Sequence, residues 1–143
     1  MIRVIGLGSP FGDDRVGWRV IQLLSGRLPE TVDLVALDRP GSALVNWMDG
    51  VERLVLIDAV RSGATPGELI RLDPAELDSG GARLTSHDLA LAETLRLAAA
   101  LGSLPPLVDI YGVEIHGCTD QHLSDVAEVA ATRLASILAG LGR

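Results

Sequence analysis

The sequence predicts an α/β fold: a single-domain three-layer sandwich with a five-stranded, mainly parallel twisted sheet, one antiparallel strand and helices on both faces. Short apolar runs alternate with segments of helical periodicity along the 143 residues, a pattern typical of parallel strands joined by crossover helices. Hydrophobic residues make up 48% of the chain but aromatic residues only 3%, so aliphatic residues must fill the core. A chain of this length most simply forms one domain, which we expect to span residues 1–143.

Five mainly apolar runs predict the strands: residues 2–7, 32–38, 53–60, 67–73 and 107–115. The fourth run follows the turn-forming segment "SGATPG" and is expected at an edge of the sheet, where one antiparallel strand is admitted. The stretch 72–84 is rich in turn-forming residues, so we expect a loop there.

Four segments predict helices. The first has apolar residues at helical spacing and should end at "LPE": Val16, Val20, Leu24 and Leu28. A short helix is expected at residues 42–48, and a third helix should begin with Thr85 or Ser86 as its N-cap and end at Gly102. The last helix is expected to bury one face: Val126, Ala130, Leu134, Ile137 and Leu141.

The charge of the chain narrows its function. The 19 acidic residues outnumber the 12 Lys and Arg residues, giving a formal net charge of -7. Nucleic acids and anionic membrane surfaces are bound by clustered basic residues, so this balance argues against both partners.

Three further features predict a cytoplasmic protein. The single cysteine, Cys118, excludes an internal disulfide and fits a reducing compartment. The opening segment "MIRVIGLG" enters a predicted strand at once, so no signal peptide is expected. No apolar run approaches the ~18 residues that a membrane span needs.

The strand-to-helix turn "GLGSPFGDDRVGW", residues 6–18, stands where α/β proteins often bind nucleotides. The dinucleotide fingerprint G-x-G-x-x-G is not met, because the glycine spacing here is G-x-G-x-x-x-G. Pro10 removes one backbone donor, and Asp13 and Asp14 would repel a pyrophosphate. No Gly-Lys-Ser/Thr sequence follows, so a nucleotide site is not expected.

The adjacent aspartates have two interpretations. A carboxylate at a helix N-cap accepts backbone N–H groups and complements the helix dipole, and we assign this role to Asp13. One aspartate suffices for capping, so Asp14 is expected to point into the crevice beyond the strand ends.

Asp58 and His87 are expected near the same edge of the sheet. Asp58 interrupts the apolar run "LVLIDAV", where a carboxylate needs a cleft or a partner. His87 follows "TS" in the first turn of its helix, where the positive end of the dipole favours the neutral, metal-ligating imidazole. Together with Asp14, these residues predict a borderline site for a divalent cation such as Ni²⁺ or Zn²⁺. Turn, capping and purely structural roles remain the alternatives for each residue alone.

Three segments resemble, in chain order, the motifs of the hydrogenase maturation endopeptidases: "GLGSPFGDDRVG", "LIDAV" and "SHDLAL". The first family motif reads roughly G-x-G-N-x-x-x-x-D-[DE]-x-x-G. The second is an apolar strand ending in Asp-Ala, and the third is a Ser/Pro-His-x-x-x-Leu segment. Chain length and element order also match, so the resemblance covers nearly the whole chain.

The resemblance implies an endopeptidase that removes the C-terminal extension of a [NiFe] hydrogenase large-subunit precursor after nickel insertion. The family's metal-contacting residues fall on Asp14, Asp58 and His87, and Asp38 joins them as a retained acid and catalytic candidate. The nickel is carried by the substrate, and no organic cofactor is implied. Both metal-assisted and aspartic-type catalysis stay open, because a metal ion or a carboxylate can activate water. We expect a monomer that docks transiently on the precursor.

The sequence departs from the family pattern in two places. Ser9 replaces the usual Asn, and the stretch from there to the paired aspartates is one residue short. After the second strand, "DRPGS" replaces the frequent Asp-Gly-Gly-Thr, so that Arg39 and Pro40 stiffen the turn that follows Asp38. These changes bear on which hydrogenase is processed.

Two other functions and one other metal site fit the sequence less well. Peptidyl-tRNA hydrolases also open with a Gly-Leu-Gly-Asn-Pro turn, but they need a basic surface and a catalytic His about ten residues later, which this acidic chain lacks. A non-cleaving metal-binding assembly chaperone would use the same three side chains. The cluster of His116, Cys118 and His122 in "EIHGCTDQH" lacks a usual zinc spacing and is not expected to bind metal.

Overall fold

The computed structural model describes residues 1–8, 15–38, 40–72, 86–116, 118–119 and 122–141, with residues 86–90 described by their backbone alone. Its strands are β1 (Ile2–Gly8), β2 (Val32–Asp38), β3 (Arg53–Val60), β4 (Leu69–Leu72) and β5 (Leu107–Glu114). Its helices are α1 (Val16–Leu24), α2 (Ser86–Leu101), α3 (Leu123–Leu141) and a 3₁₀ helix over Gly41–Trp47.

The strands form one sheet in the order β2-β1-β3-β5-β4. The β2–β1, β1–β3 and β3–β5 pairs are parallel, and β4 pairs antiparallel with β5 at the edge of the sheet. Helices cover both faces. The predicted fold class is therefore confirmed, including the antiparallel edge strand.

One face of the sheet packs against α1 and α3. The buried residues of α3 form a wide stripe: Leu123, Val126, Ala127, Ala130, Ala131, Leu134 and Leu138. The prediction that Ile137 lies on this face was wrong, because Ile137 is 37% exposed and Leu138 is buried instead. The stripe is centred nearer Leu134 and includes three alanines, whose short side chains allow the close packing of α1 on α3.

The opposite face packs against α2 and the 3₁₀ helix. Leu44 and Met48 from the 3₁₀ segment meet Leu91 and Leu95 of α2 over the inward side chains of β1 and β3. The short helix predicted at 42–48 is thus a 3₁₀ helix. The two apolar clusters cover opposite faces of the sheet. Because both faces of β1 and β3 are buried, these strands are continuous apolar runs in the sequence.

Glycines allow the close packing of the first turn of α1 on β1 and mark the C-terminal end of the helix. Gly6 of β1 and Gly17 of α1 lie so close that a Cβ atom on Gly6 would be 2.5 Å from the Gly17 carbonyl oxygen. At the other end, Gly26 adopts φ 83° just beyond the C-cap Ser25, a left-handed conformation that ends a helix. The helix therefore stops at Leu24, before the predicted "LPE" segment, and Leu28 packs on the core from outside it.

The remaining boundaries agree with the prediction to within two residues. The largest of these differences is at the start of the fourth strand, where the turn at Gly67 precedes pairing from Leu69. The α2 helix begins at Ser86 and Gly102 follows its end with φ 74°. Most of the predicted loop at 72–84 lies outside the described residues. Among the helices that are described, none combines the length and hydropathy of a membrane span.

Candidate functional site

The strands β1 and β3 part from each other at the carboxyl edge of the sheet. Their pairing ends at Gly6 and Ile57, whereas β1 stays paired with β2 to Gly8 and Asp38. After β1 the chain forms β2 on one side of β1, and it then forms β3 on the other side. The gap between the ends of β1 and β3 is therefore the topological switch point of the sheet. Open α/β sheets bind their ligands in the crevice at such a point.

Asp58 is the first residue of β3 beyond its pairing with β1. Its side chain is 7% exposed, and its Oδ1 atom accepts the backbone N–H of Ala59 at 2.8 Å. Leu54 and Leu56 alternate with it along the strand and pack against α2, so Asp58 belongs to that face. Burying a carboxylate is unfavourable unless polar partners compensate, and its position at the switch point marks the candidate site.

The first turn of α1 borders the same crevice. A Cβ atom on Gly17 would lie 2.5 Å from the Leu7 carbonyl oxygen and 3.3 Å from that of Ile57. Asp14 precedes the first residue of α1, Val16, by two positions and lies outside the described residues. The N-cap of α1 is Arg15, and Asp13, to which the sequence analysis assigns a capping role, also lies outside the described residues.

The start of α2 lies at the same edge and on the same face as Asp58. The helix leads into β5, whose first residue, Leu107, donates its N–H to the Glu52 carbonyl just before β3. The sixteen residues of α2 span about 24 Å, which is close to the length of the eight-residue strand β5. The helix runs back along the sheet before the chain enters β5. The helix therefore begins at the carboxyl edge. His87, its second residue, lies in the predicted first turn, and its side chain is outside the described residues.

Asp38 ends β2 on the opposite side of β1. Val32 and Leu34 alternate with it along the strand and pack on the α1 face, so alternation places Asp38 on the face away from Asp58. Two strand spacings separate the β2 and β3 backbones by about 10 Å. The start of α2 and Asp58 thus lie on one face of the sheet, and Asp38 lies on the other.

In the part of the chain that the structure describes, no three His, Cys, Asp or Glu side chains group as a metal site. Among the candidate site residues whose side chains the structure describes, Asp58 provides a buried carboxylate. In the segment after β5, Cys118 Sγ donates to the Thr119 carbonyl at 3.3 Å, and the Thr119 hydroxyl lies 2.7 Å from His122 Nδ1.

Sequence reasoning missed Glu114, the last residue of β5, which is completely buried. Burial raises the pKa of Glu114, but hydrogen bonds from the Ser62 hydroxyl and from the backbone N–H groups of Ala64, His116 and Ser62 outweigh it and hold that pKa below its ordinary value. The signal was present, because "VDIYGVEI" contains a carboxylate in an apolar strand just as "LVLIDAV" does.

Comparison with known proteins decides the family. The family model of the hydrogenase maturation proteases (HycI) matches residues 18–140. The chain belongs to the hydrogenase maturation protease family. Both Asp58 and His87 lie within the matched residues, whereas Asp14 precedes them.

Individual curated proteins are also similar to this chain. The hydrogenase expression/formation protein HupD of Bradyrhizobium diazoefficiens is 27% identical over 118 residues, which cover 79% of this chain and 62% of that protein. The chain spans about three fifths of the length of the curated relatives it matches first.

Solved structures share the fold over nearly the full chain. An endopeptidase from Escherichia coli is 26% identical with a TM-score of 0.77, covering 99% of this chain and 93% of that one. A hydrogenase 2 maturation peptidase from a Thaumarchaeota archaeon is 28% identical with a TM-score of 0.66, covering 96% and 97%.

Proposed function

We propose that this protein is an endopeptidase that removes the C-terminal extension of a [NiFe] hydrogenase large-subunit precursor after nickel insertion. The observation that carries the proposal is the buried Asp58 carboxylate at the point where β1 and β3 part. The start of α2, with His87, lies at the same edge. Membership of the hydrogenase maturation protease family supplies the class of reaction.

We propose that the substrate's nickel is recognised by Asp14, Asp58 and His87. Carboxylate oxygens and a neutral imidazole are a borderline donor set that suits a divalent nickel ion. The first turn of a helix favours the neutral form of a histidine, because the positive end of the dipole opposes protonation. A site of three protein ligands leaves coordination positions for groups of the precursor.

Two routes to peptide cleavage fit these residues. In a metal-assisted route, the substrate's nickel polarises the scissile carbonyl. In an aspartic-type route, a carboxylate acts as general base toward water, and Asp58 is the carboxylate best placed for it. Asp38 stays a catalytic candidate, with a role at the rim of the crevice, since it ends β2 on the other face of the sheet.

We propose that the protein acts in the cytoplasm as a monomer that docks transiently on the precursor. The net charge of -7 supports a cation-bearing protein substrate and disfavours nucleic acid and anionic membranes as partners. No organic cofactor is needed for either route.

The direct test is mass spectrometry of a nickel-loaded precursor incubated with the purified protein. Loss of a C-terminal fragment is expected with the wild type. Asp58→Asn should lower the rate by about a hundredfold or more, the range for loss of a general acid–base group, and Asp14→Asn should behave similarly.

Asp49→Asn is the matched control for this test. Asp49 is exposed and precedes β3 at the opposite edge of the sheet, so its variant should cleave normally. Circular dichroism checks that each variant is folded. An intact precursor that co-purifies with the wild type would instead favour a non-cleaving assembly chaperone, and near-normal cleavage by a folded Asp58→Asn variant would remove Asp58 from the mechanism.

A further inference from the structure

A second buried carboxylate lies beside the strand end that carries Asp58. In the β3–β5 register Asp58 pairs with Gly112 and Val60 pairs with Glu114. Gly112 leaves room for the neighbouring strand, since a Cβ atom there would lie 2.5 Å from the Val60 side chain. Glu114 is 0% exposed and ends β5 at the carboxyl edge of the sheet.

The Glu114 carboxylate binds the loop that leaves β3. Its Oε1 atom accepts the Ser62 hydroxyl at 2.5 Å and the backbone N–H groups of Ser62 and Ala64, both at 2.9 Å. Its Oε2 atom accepts the N–H groups of Ser62 and His116 at 3.1 Å. One side chain therefore holds the first half of the connection between β3 and β4 (the clamped loop, residues 61–64).

The backbone of Glu114 holds the second half of the same connection. Its N–H donates to the Glu68 carbonyl at 3.0 Å, and its carbonyl accepts the Gly67 N–H at 2.9 Å. The neighbouring Ile115 N–H donates to the Val60 carbonyl at 3.0 Å. Every residue from the end of β3 to the start of β4 is thus within two positions of an anchor on β5.

We propose that Glu114 is a positioning residue for the processing reaction, in which its carboxylate fixes the clamped loop and thereby the direction of Asp58 at the end of β3. The inference rests on the proposed function for the role of Asp58. Ser62 follows Asp58 by four residues, and the segment between them has only Ala59, Val60 and Arg61. A segment this short transmits a shift of the loop to the strand end, where misplacement of a reacting group by about 1 Å lowers rates by up to a hundredfold.

The test compares two buried carboxylates on the same strand. Glu114→Gln keeps the size of the side chain but turns an acceptor into an NH₂ group that faces N–H donors. Asp109→Asn is the matched control, because Asp109 is 5% exposed and is paired with Arg53 and Arg71 nearer the other end of β5. Both variants should lose stability, and only Glu114→Gln should disturb the site.

The readouts are kcat and KM on nickel-loaded precursor and the hydrogen-exchange rate of the Ala59 amide, which binds Asp58 Oδ1. The Val55 amide, in the buried middle of β3, reports global unfolding in each variant. For Glu114→Gln we expect kcat to fall about tenfold or more, with KM within about twofold of the wild-type value. We also expect the Ala59 amide to exchange faster than the global unfolding measured at the Val55 amide accounts for. For Asp109→Asn we expect kcat within about twofold of the wild-type value. The exchange rate of the Ala59 amide should then change by the same factor as that of the Val55 amide.

Equal kcat losses in the two variants, or an Ala59 rate that follows Val55 in Glu114→Gln, would overturn the proposal. If Glu114→Gln does not fold, Ser62→Ala replaces it, since that variant removes only the hydroxyl donor; it should change Ala59 exchange in the same direction by a smaller factor. A wild type that leaves the precursor intact refutes the proposed function, and the Ala59 exchange rates then still decide whether Glu114 positions Asp58.

Discussion

A Cβ atom added to Gly17 of α1 would lie 2.5 Å from the carbonyl oxygen of Leu7 in β1. The contact is with backbone, which yields less readily than the end of a side chain. It brings the start of α1 against the end of β1, beside the crevice that holds Asp58. Gly17, the last residue of the "DDRVG" segment, therefore has a packing role that does not depend on any part in catalysis.

We predict that Gly17→Ala destabilises the protein by about 1–3 kcal/mol, the usual range for overpacking. Urea unfolding followed by circular dichroism measures the change. Gly140→Ala is the control, because the added Cβ would have no atom within 4 Å apart from its chain neighbours and the backbone of its own helix α3, and alanine in a helix should stabilise by about 0.5–1 kcal/mol. Equal unfolding free energies for Gly17→Ala and the wild type would show that α1 accommodates the methyl group.

The three histidines should differ sharply in processing assays. His87→Ala is expected to abolish cleavage, because His87 lies in the first turn of α2 at the site edge. His116→Ala and His122→Ala should each leave a clearly measurable rate, since His116 serves the Glu114 carboxylate through its backbone N–H and His122 Nδ1 lies beside the Thr119 hydroxyl. An active, folded His87→Ala variant together with an inactive, folded His116→Ala variant would place the site elsewhere.

Nickel in the precursor should control the rate. Nickel-free precursor is expected to be cleaved at least about tenfold more slowly than nickel-loaded precursor, which corresponds to about 1.4 kcal/mol of lost transition-state stabilisation. The reason is that carboxylates offer a cation site and little to bind an uncharged peptide. Quantitative mass spectrometry of the released fragment gives both rates, and equal rates would favour an aspartic mechanism without nickel recognition.

Acid should weaken the fold through Glu114. The folded-state pKa of Glu114 is lowered from 4.5, so its stabilising contribution is present above the unfolded-state pKa and is lost as the pH falls through the folded value. We expect the unfolding free energy of the wild type to drop more steeply below about pH 5 than that of Glu114→Gln.

Urea titrations at pH 7, 5 and 4 test this pH dependence. Glu30→Gln removes one exposed carboxyl group and serves as the control, with a pH dependence expected to follow the wild type. Parallel pH curves for the wild type and Glu114→Gln would contradict the assignment.

Most of the fold could be predicted because apolar periodicity reports burial on each element. The run "RLVLIDAV" coincides with β3 to the residue, since both faces of that strand are covered. Periodicity was less informative where packing depends on a partner element. The face of α3 is set by its contact with α1, so the sequence pattern alone favoured Ile137 over Leu138.

The positions of two candidate site residues could be predicted for a related reason. Asp58 and the first-turn position of His87 follow from motif order and strand ends, which are local in sequence. The role of Glu114 depends on donors from residues 62 and 64, about fifty positions earlier. Nothing local to "GVEI" indicates which loop will close over it, so only the assembled sheet reveals the contact.

The two buried carboxylates of β5 give that strand an electrical polarity. Asp109 is neutralised by two guanidinium groups, whereas the hydrogen-bond donors to Glu114 are amides and a hydroxyl, which carry no net charge. Along β5, the charge that no cation neutralises therefore lies at the edge where the crevice opens. A negative charge at this edge would accelerate the diffusional approach of the proposed nickel-bearing precursor, and its field is screened over about 10 Å at 0.1 M salt. Association with the precursor should consequently slow as ionic strength rises, even where every contact in the final complex is unchanged.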